Sequence, residues 1–194
     1  MMMSRLKEVT RPHHEAVEET LGRFKLTSSL DGYRRVLRRF HAVHLTAESA
    51  FQRLDGWDAI GIDPAERRKL PLLEADLRAL GDDEAVAAPS AEAPLPPLTD
   101  LPRALGAMYV LEGSTLGGRY ITKSVGASLG LTPGRGCSYF ASYGDRVGPM
   151  WRSFGAAVDA FATTEEVRGA IADSADATFR AIDAWFSRDE PGPR

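Results

Sequence analysis

The sequence predicts a single all-α domain, and three observations carry that reading. Apolar residues recur at helical spacing almost from end to end, and no segment alternates convincingly as a strand. The chain is 194 residues long, the length of one domain and enough to bury a core without a disulfide or metal staple. The punctuation is also helical, with capping residues before the periodic segments and Gly22, Gly81 and Gly130 after them.

Leu6, Val9, His13, Val17 and Leu21 mark the first helix. Tyr33, Val36, Leu37, Phe40, His44, Ala47, Phe51 and Leu54 fall on one stripe of a long second helix. Asp63-Pro64-Ala65-Glu66 reads as the start of a third, with a cap, a first-turn proline and a glutamate three residues after the cap. Pro71 is expected to end or kink it, since proline lacks the amide for an interior bond. Helix then continues from Leu72 to Leu80. The Pro/Ala-rich stretch 88–97 reads as a connection within the domain. A fifth helical segment runs from Leu101 to about Leu129, and residues 131–147 are irregular. The last two helices are Met150 to Phe161 and Val167 to about Phe186, the second opened by a capping box at Thr163-Thr164-Glu165-Glu166. The domain is read as 1–187, with a polar tail over 188–194.

Composition narrows function. Lys plus Arg is 24 against 27 for Asp plus Glu, a net charge of -3. That argues against binding nucleic acid by bulk charge, while leaving room for a local basic patch. A single cysteine, Cys137, excludes an internal disulfide and any multi-cysteine zinc site. No run reaches the length of a membrane span and the N-terminus turns polar at once, so a cytoplasmic protein is expected.

Two features stand out. Gly106, Gly113, Gly117 and Gly118 lie inside the fifth helical segment, where each glycine costs roughly 1 kcal/mol against alanine. A kink at Gly117-Gly118 is expected. The face they make fits close packing of another helix, and it also fits a large planar ligand lying against the backbone. The second feature is His13-His14. Neighbouring helical residues point about 100° apart, so only one can address a given ligand. His13 falls on the apolar stripe. His14 has Glu18 one turn on, where a carboxylate can fix the tautomer of a metal-ligating imidazole. His41 and His44 read as a surface and a core histidine, although Glu48 follows His44 by one turn. The Glu-x-x-His pairs of a di-iron bundle are missing.

These features occur together in one family. Residues 6–14, Leu-Lys-Glu-Val-Thr-Arg-Pro-His-His, resemble the N-terminal helix of haem oxygenases, in which the closing histidine is the proximal iron ligand; that position is His14. Residues 109–119, Tyr-Val-Leu-Glu-Gly-Ser-Thr-Leu-Gly-Gly-Arg, resemble the glycine-rich distal helix of bacterial members, those that serve bacteriophytochromes included. Residues 70–81 and 148–154 are similar to the same branch. The resemblance implies a helical bundle with haem sandwiched between a proximal and a kinked distal helix. Haem is then both cofactor and substrate, opened with O2 to biliverdin, carbon monoxide and iron.

It assigns His14 to the iron, and Gly113, Ser114, Gly117 and Gly118 to the catalytic face, where close backbone bends oxygen toward one meso carbon and an ordered water gives a proton. It gives Lys7, Arg11, Glu18, Tyr109, Arg119 and Arg152 to haem binding, with Lys7, Arg11 and Arg152 as propionate partners. An electron donor such as ferredoxin or a flavin reductase, and a phytochrome accepting biliverdin, are the implied protein partners. Ser114 stands where many members carry an aspartate that anchors the distal water, and a serine brings no charge. A haem-binding or haem-transfer protein on the same fold is therefore the alternative. Pro12, two residues before His14, is expected to disturb the first helix.

Overall fold

The computed structural model describes residues 1–88 and 93–188. Helix α1, Met2–Gly22, buries Met2, Leu6, Thr10 and Thr20 on one stripe. It continues unbroken through Pro12, so the expected disturbance is absent. Val9 is exposed rather than part of that stripe. Helix α2, Leu30–Phe51, starts where the Ser29 hydroxyl accepts from the Gly32 amide. Its apolar stripe, Tyr33, Val36, Leu37, Phe40, Val43 and Ala47, is buried, each large side chain contributing roughly 1.5–3 kcal/mol. Leu54 lies beyond its end.

The third segment departs from the sequence reading. Asp63 caps only a short 3-10 turn, Ala65–Arg67, accepting from the Ala65 amide at 2.8 Å. Arg68 is then extended, and α3, Leu70–Ala79, begins with Pro71 in its first turn. Proline is well tolerated there because first-turn amides have no intrahelical partner. Pro71 thus opens a helix instead of ending one. Gly81 follows α3 at φ +73°, and a short α4, Asp83–Ala87, precedes the Pro/Ala stretch. Residues 89–92 of that stretch lie outside the described residues, and 93–100 run without helix.

The fifth segment breaks as expected, but over more residues. Helix α5, Leu101–Ser114, is capped by Asp100 accepting from Arg103. A 3-10 turn over Thr115–Gly117 leads into α6, Gly118–Leu129, which ends at Gly130 in the left-handed region. The region read as irregular holds α7, Ser138–Ala141, and a 3-10 turn over Gly144–Arg146. Helices α8, Val147–Phe161, and α9, Glu165–Ser187, complete the bundle. Thr164 caps α9, accepting from Val167 at 3.2 Å. The polar tail from 189 onward lies outside the described residues.

Helix α9 forms the spine, with α1 and α5 packed on it. A methyl on Gly106 would overlap the Ile171 carbonyl and lie 2.8 Å from Ser174 Cβ, so α5 and α9 meet backbone to backbone. Helix α2 packs on α3, while α7 wedges between α3 and α6. Among the described residues there is no strand, only isolated bridges over 132–136, and no helix long and apolar enough to cross a membrane.

Candidate functional site

The two elements singled out by sequence meet at one link. Thr10 on α1 and Tyr109 on α5 are both buried and their hydroxyls approach each other, while the Thr10 hydroxyl donates to Leu6 O at 2.7 Å. His14 lies one turn beyond Thr10, and Gly113 one turn beyond Tyr109. Burial holds the Tyr109 hydroxyl above its ordinary pKa, and its ring packs on Trp151 with centroids 5.6 Å apart.

On α1 the two histidines divide. His13 is not an apolar core residue: its Nε2 reaches Asp176 Oδ1 on α9 at 2.7 Å. The His14 side chain is 54% exposed, with its ring edge-on to Phe179 and its Nδ1 3.7 Å from Glu18 Oε2. That separation is an ion-pair distance, longer than a hydrogen bond. Lys7 and Arg11 are exposed on the same helix.

The glycines of α5 and the break occupy different surroundings. Gly106 faces α9. A Cβ on Gly113 would sit 3.6 Å from the Trp151 ring, in ordinary contact. A Cβ on Gly117 would meet nothing within 4 Å, so this position opens onto free space. A Cβ on Gly118 would overlap the Phe140 carbonyl oxygen of α7. Expecting Gly117 and Gly118 to be bare for the same reason is thus corrected. Gly118 lacks a side chain because another backbone occupies the place. Ser114, Leu116, Gly117, Arg119 and Tyr120 are exposed on this segment, Leu116 at 44% and Tyr120 at 80%. Arg152 is exposed on α8, its guanidinium folded back beside Gly148.

Behind the break lies a buried polar network that the sequence reading missed. Ser114 Oγ donates to Leu111 O at 2.7 Å, on the side of the Tyr139 hydroxyl. That hydroxyl is 3.2 Å from His44 Nε2, and His44 Nδ1 is 3.2 Å from Glu48 Oε1. Glu48 Oε1 also accepts the Lys69 and Leu70 amides at 2.7 and 3.0 Å. Arg68 Nε lies 3.3 Å from Glu48 Oε2. Burial pushes the Glu48 carboxyl up, but His44 and the two amides outweigh it, and its pKa falls below 4.5. Burial likewise holds the Tyr139 phenol well above its ordinary value. Asp76 anchors α7 by accepting the Ser138 and Tyr139 amides, both at 2.7 Å.

A second buried carboxylate, Glu112, immediately precedes Gly113. It accepts from Arg67 at 2.6 Å, Tyr143 at 2.7 Å and Lys69 at 3.4 Å. Arg67 also donates to the Met150 carbonyl and Ser153 on α8. Burial lowers the Lys69 pKa, with Glu112 opposing. A cavity of about 10 Å3 between the Glu48 and Glu112 groups, lined also by Met108 and Leu111, is close to the size of a single water. His41, read as a surface histidine, is buried, its Nε2 3.9 Å from Glu74.

The fold is that of known haem oxygenases. The haem oxygenase of Neisseria meningitidis, solved with NO and CO bound, superposes with a TM-score of 0.82 at 20% identity, over 99% of this chain and 95% of that one. The haem oxygenase of Leptospira interrogans gives 0.72 at 18% identity, over 96% and 98%. In sequence, a haem oxygenase of Xanthomonas campestris pv. campestris (strain 8004) is 37% identical over 95 residues. That match covers 48% of this chain and 52% of that protein, so the chain spans about half the length of this curated relative. The haem oxygenase family model matches residues 1–188. The chain belongs to the haem oxygenase family.

Proposed function

We propose that the protein is a haem oxygenase that binds haem between α1 and the α5–α6 break and opens it to biliverdin, carbon monoxide and ferrous iron. The observation that carries this reading is the free space at Gly117, bordered by exposed Ser114 and Leu116, with the exposed His14 imidazole on α1. These residues fit haem: the face is flat and partly apolar, and the exposed imidazole at its edge has a carboxylate within 4 Å of Nδ1.

His14 would hold the iron, with the Glu18 carboxylate 3.7 Å from Nδ1 placing a negative charge beside the imidazole. Lys7, Arg11 and Arg152 would orient the propionates, and Arg119 and Tyr109, the latter packed on Trp151, would line the haem face. Gly113 and Gly117 keep side chains off the distal face, while Gly118 keeps the break seated on α7. When bound, haem supplies the iron that reduces O2 and the porphyrin edge that is oxidised. Ser114 presents a hydroxyl at that face in place of a carboxylate. Tyr139 stands behind it. With Glu48 accepting from Nδ1–H, His44 Nε2 accepts a hydrogen bond from the Tyr139 hydroxyl. The side chains thus hold a movable proton beside Ser114, a task elsewhere given to an aspartate.

Electrons come from a small redox protein or flavin reductase. The product serves iron release or a bacteriophytochrome, the latter supported by the likeness of residues 70–81, 109–119 and 148–154 to that branch. Lone Cys137, buried and unbridged, supports a cytoplasmic setting. Haemin titration followed by ascorbate tests the reading. A histidine-ligated Soret band that converts to biliverdin, identified by product chromatography, is expected. A stable band that never converts would assign the fold to haem transfer instead.

A further inference from the structure

Away from the haem face, a cleft of about 360 Å3 opens between the start of α3 and the α7–α8 connection. It is large enough for a small ligand. Its charged lining is Arg68, Lys69 and Arg146 against a single carboxylate, Glu66. Lys69 is already committed to Glu112, with its ammonium 3.7 Å from the Tyr143 ring centroid. Arg68 meets Glu48 through Nε but leaves 40% of its side chain exposed. The exposed Arg146 side chain makes no ion pair or hydrogen bond among the described residues. Cations are therefore in surplus. Ser142, in the same lining, is a second and independent sign. Its Oγ is buried without a hydrogen-bond partner, and its backbone sits at φ +40°, a strained conformation for a residue with a side chain.

We infer that this cleft binds the phosphate group of a small molecule, with the Arg146 and Arg68 guanidinium groups as forks and the Ser142 hydroxyl as an added donor once its side chain turns from its buried position into the cleft. Guanidinium geometry matches a tetrahedral oxyanion, and a bound phosphate would satisfy the orphaned hydroxyl. The site is separate from the haem reading and stands whether or not that reading holds. Tyr143 and Lys69 join it to Glu112 next to Gly113, so occupancy can be sensed at the distal break.

Inorganic phosphate is the probe, titrated into the full-length chain at constant ionic strength while amide shifts are followed by NMR. Saturable shifts confined to residues 65–72 and 142–146 are expected, with half-saturation at roughly 1 mM or below. Arg146→Glu should weaken binding at least about tenfold. Ser142→Gly should relieve the backbone, keep or raise the melting temperature, and still weaken phosphate binding. Shifts that never saturate, that persist unchanged in Arg146→Glu, or that acetate reproduces at equal concentration would overturn the phosphate assignment.

Discussion

His13 Nε2 and Asp176 Oδ1 lie 2.7 Å apart, bridging α1 to α9 and occupying one histidine of the pair. His14, with its ring edge on Phe179, is left as the exposed imidazole. His13→Ala should lower stability by about 1–2 kcal/mol and leave the haem spectrum intact. His14→Ala should abolish the histidine-ligated spectrum and turnover, with little change in melting temperature. An unchanged Soret band in His14→Ala would move the ligand elsewhere.

Gly117 and Gly118 should respond in opposite ways to alanine. Gly117 is helical at φ -79° with open space before it, so Gly117→Ala should gain up to about 1 kcal/mol of helix stability while cutting biliverdin yield. Gly118→Ala forces a methyl into the Phe140 carbonyl and should destabilise by about 1–3 kcal/mol. Melting temperature and yield, measured together for both variants, check this. Full yield from Gly117→Ala would detach that glycine from haem.

Tyr139→Phe removes the hydroxyl between Ser114 and His44 while preserving the ring packing on Phe40 and Phe140. Biliverdin formation should slow by roughly 100-fold or more, with haem affinity nearly unchanged. Single-turnover rates and a solvent isotope effect would test it. Equal rates in both proteins would remove Tyr139 and His44 from proton handling.

Glu48 supplies the acid sensitivity. Its folded pKa lies below the ordinary 4.5, so the unfolded chain binds its proton more readily. The resulting stability is present above that value and is lost as pH falls through the folded pKa. Urea unfolding at a series of pH values below about 5 should show a shallower acid limb for Glu48→Gln than for the parent. Parallel limbs would contradict the assignment.

Glu112 balances two buried cations, Arg67 and Lys69. Glu112→Gln leaves them uncompensated and should cost roughly 3–5 kcal/mol. Tyr143→Phe, which removes one hydrogen bond and no charge, should cost about 1 kcal/mol. Comparable losses in the two variants would show that charge is not what Glu112 contributes.

Helical periodicity made the bundle legible, together with the break near Gly117. Local pattern could not show what stands opposite a residue. Gly117 and Gly118 are neighbours of one type, separated in role only by the Phe140 carbonyl, which a different part of the chain delivers. His44 and Glu48 are visible as an i, i+4 pair. Tyr139, 95 residues from His44, has no sequence signal that marks it as their partner. Pro71 misled because an interior and a first-turn proline look alike until the chain is known to leave the helix at Arg68 and start a new one at Leu70.

The cap that Glu48 lends to the start of α3 has a kinetic side. The Lys69 and Leu70 amides find their acceptor more than twenty residues upstream, on α2. A peptide spanning 65–81 alone would lack that acceptor and, at this length, would be a marginal helix. Helix α3 is therefore contingent on α2, and the two belong to one cooperative folding unit. Amide exchange would register them as opening together, and the His44–Glu48 pair would assemble, and come apart, in the same event.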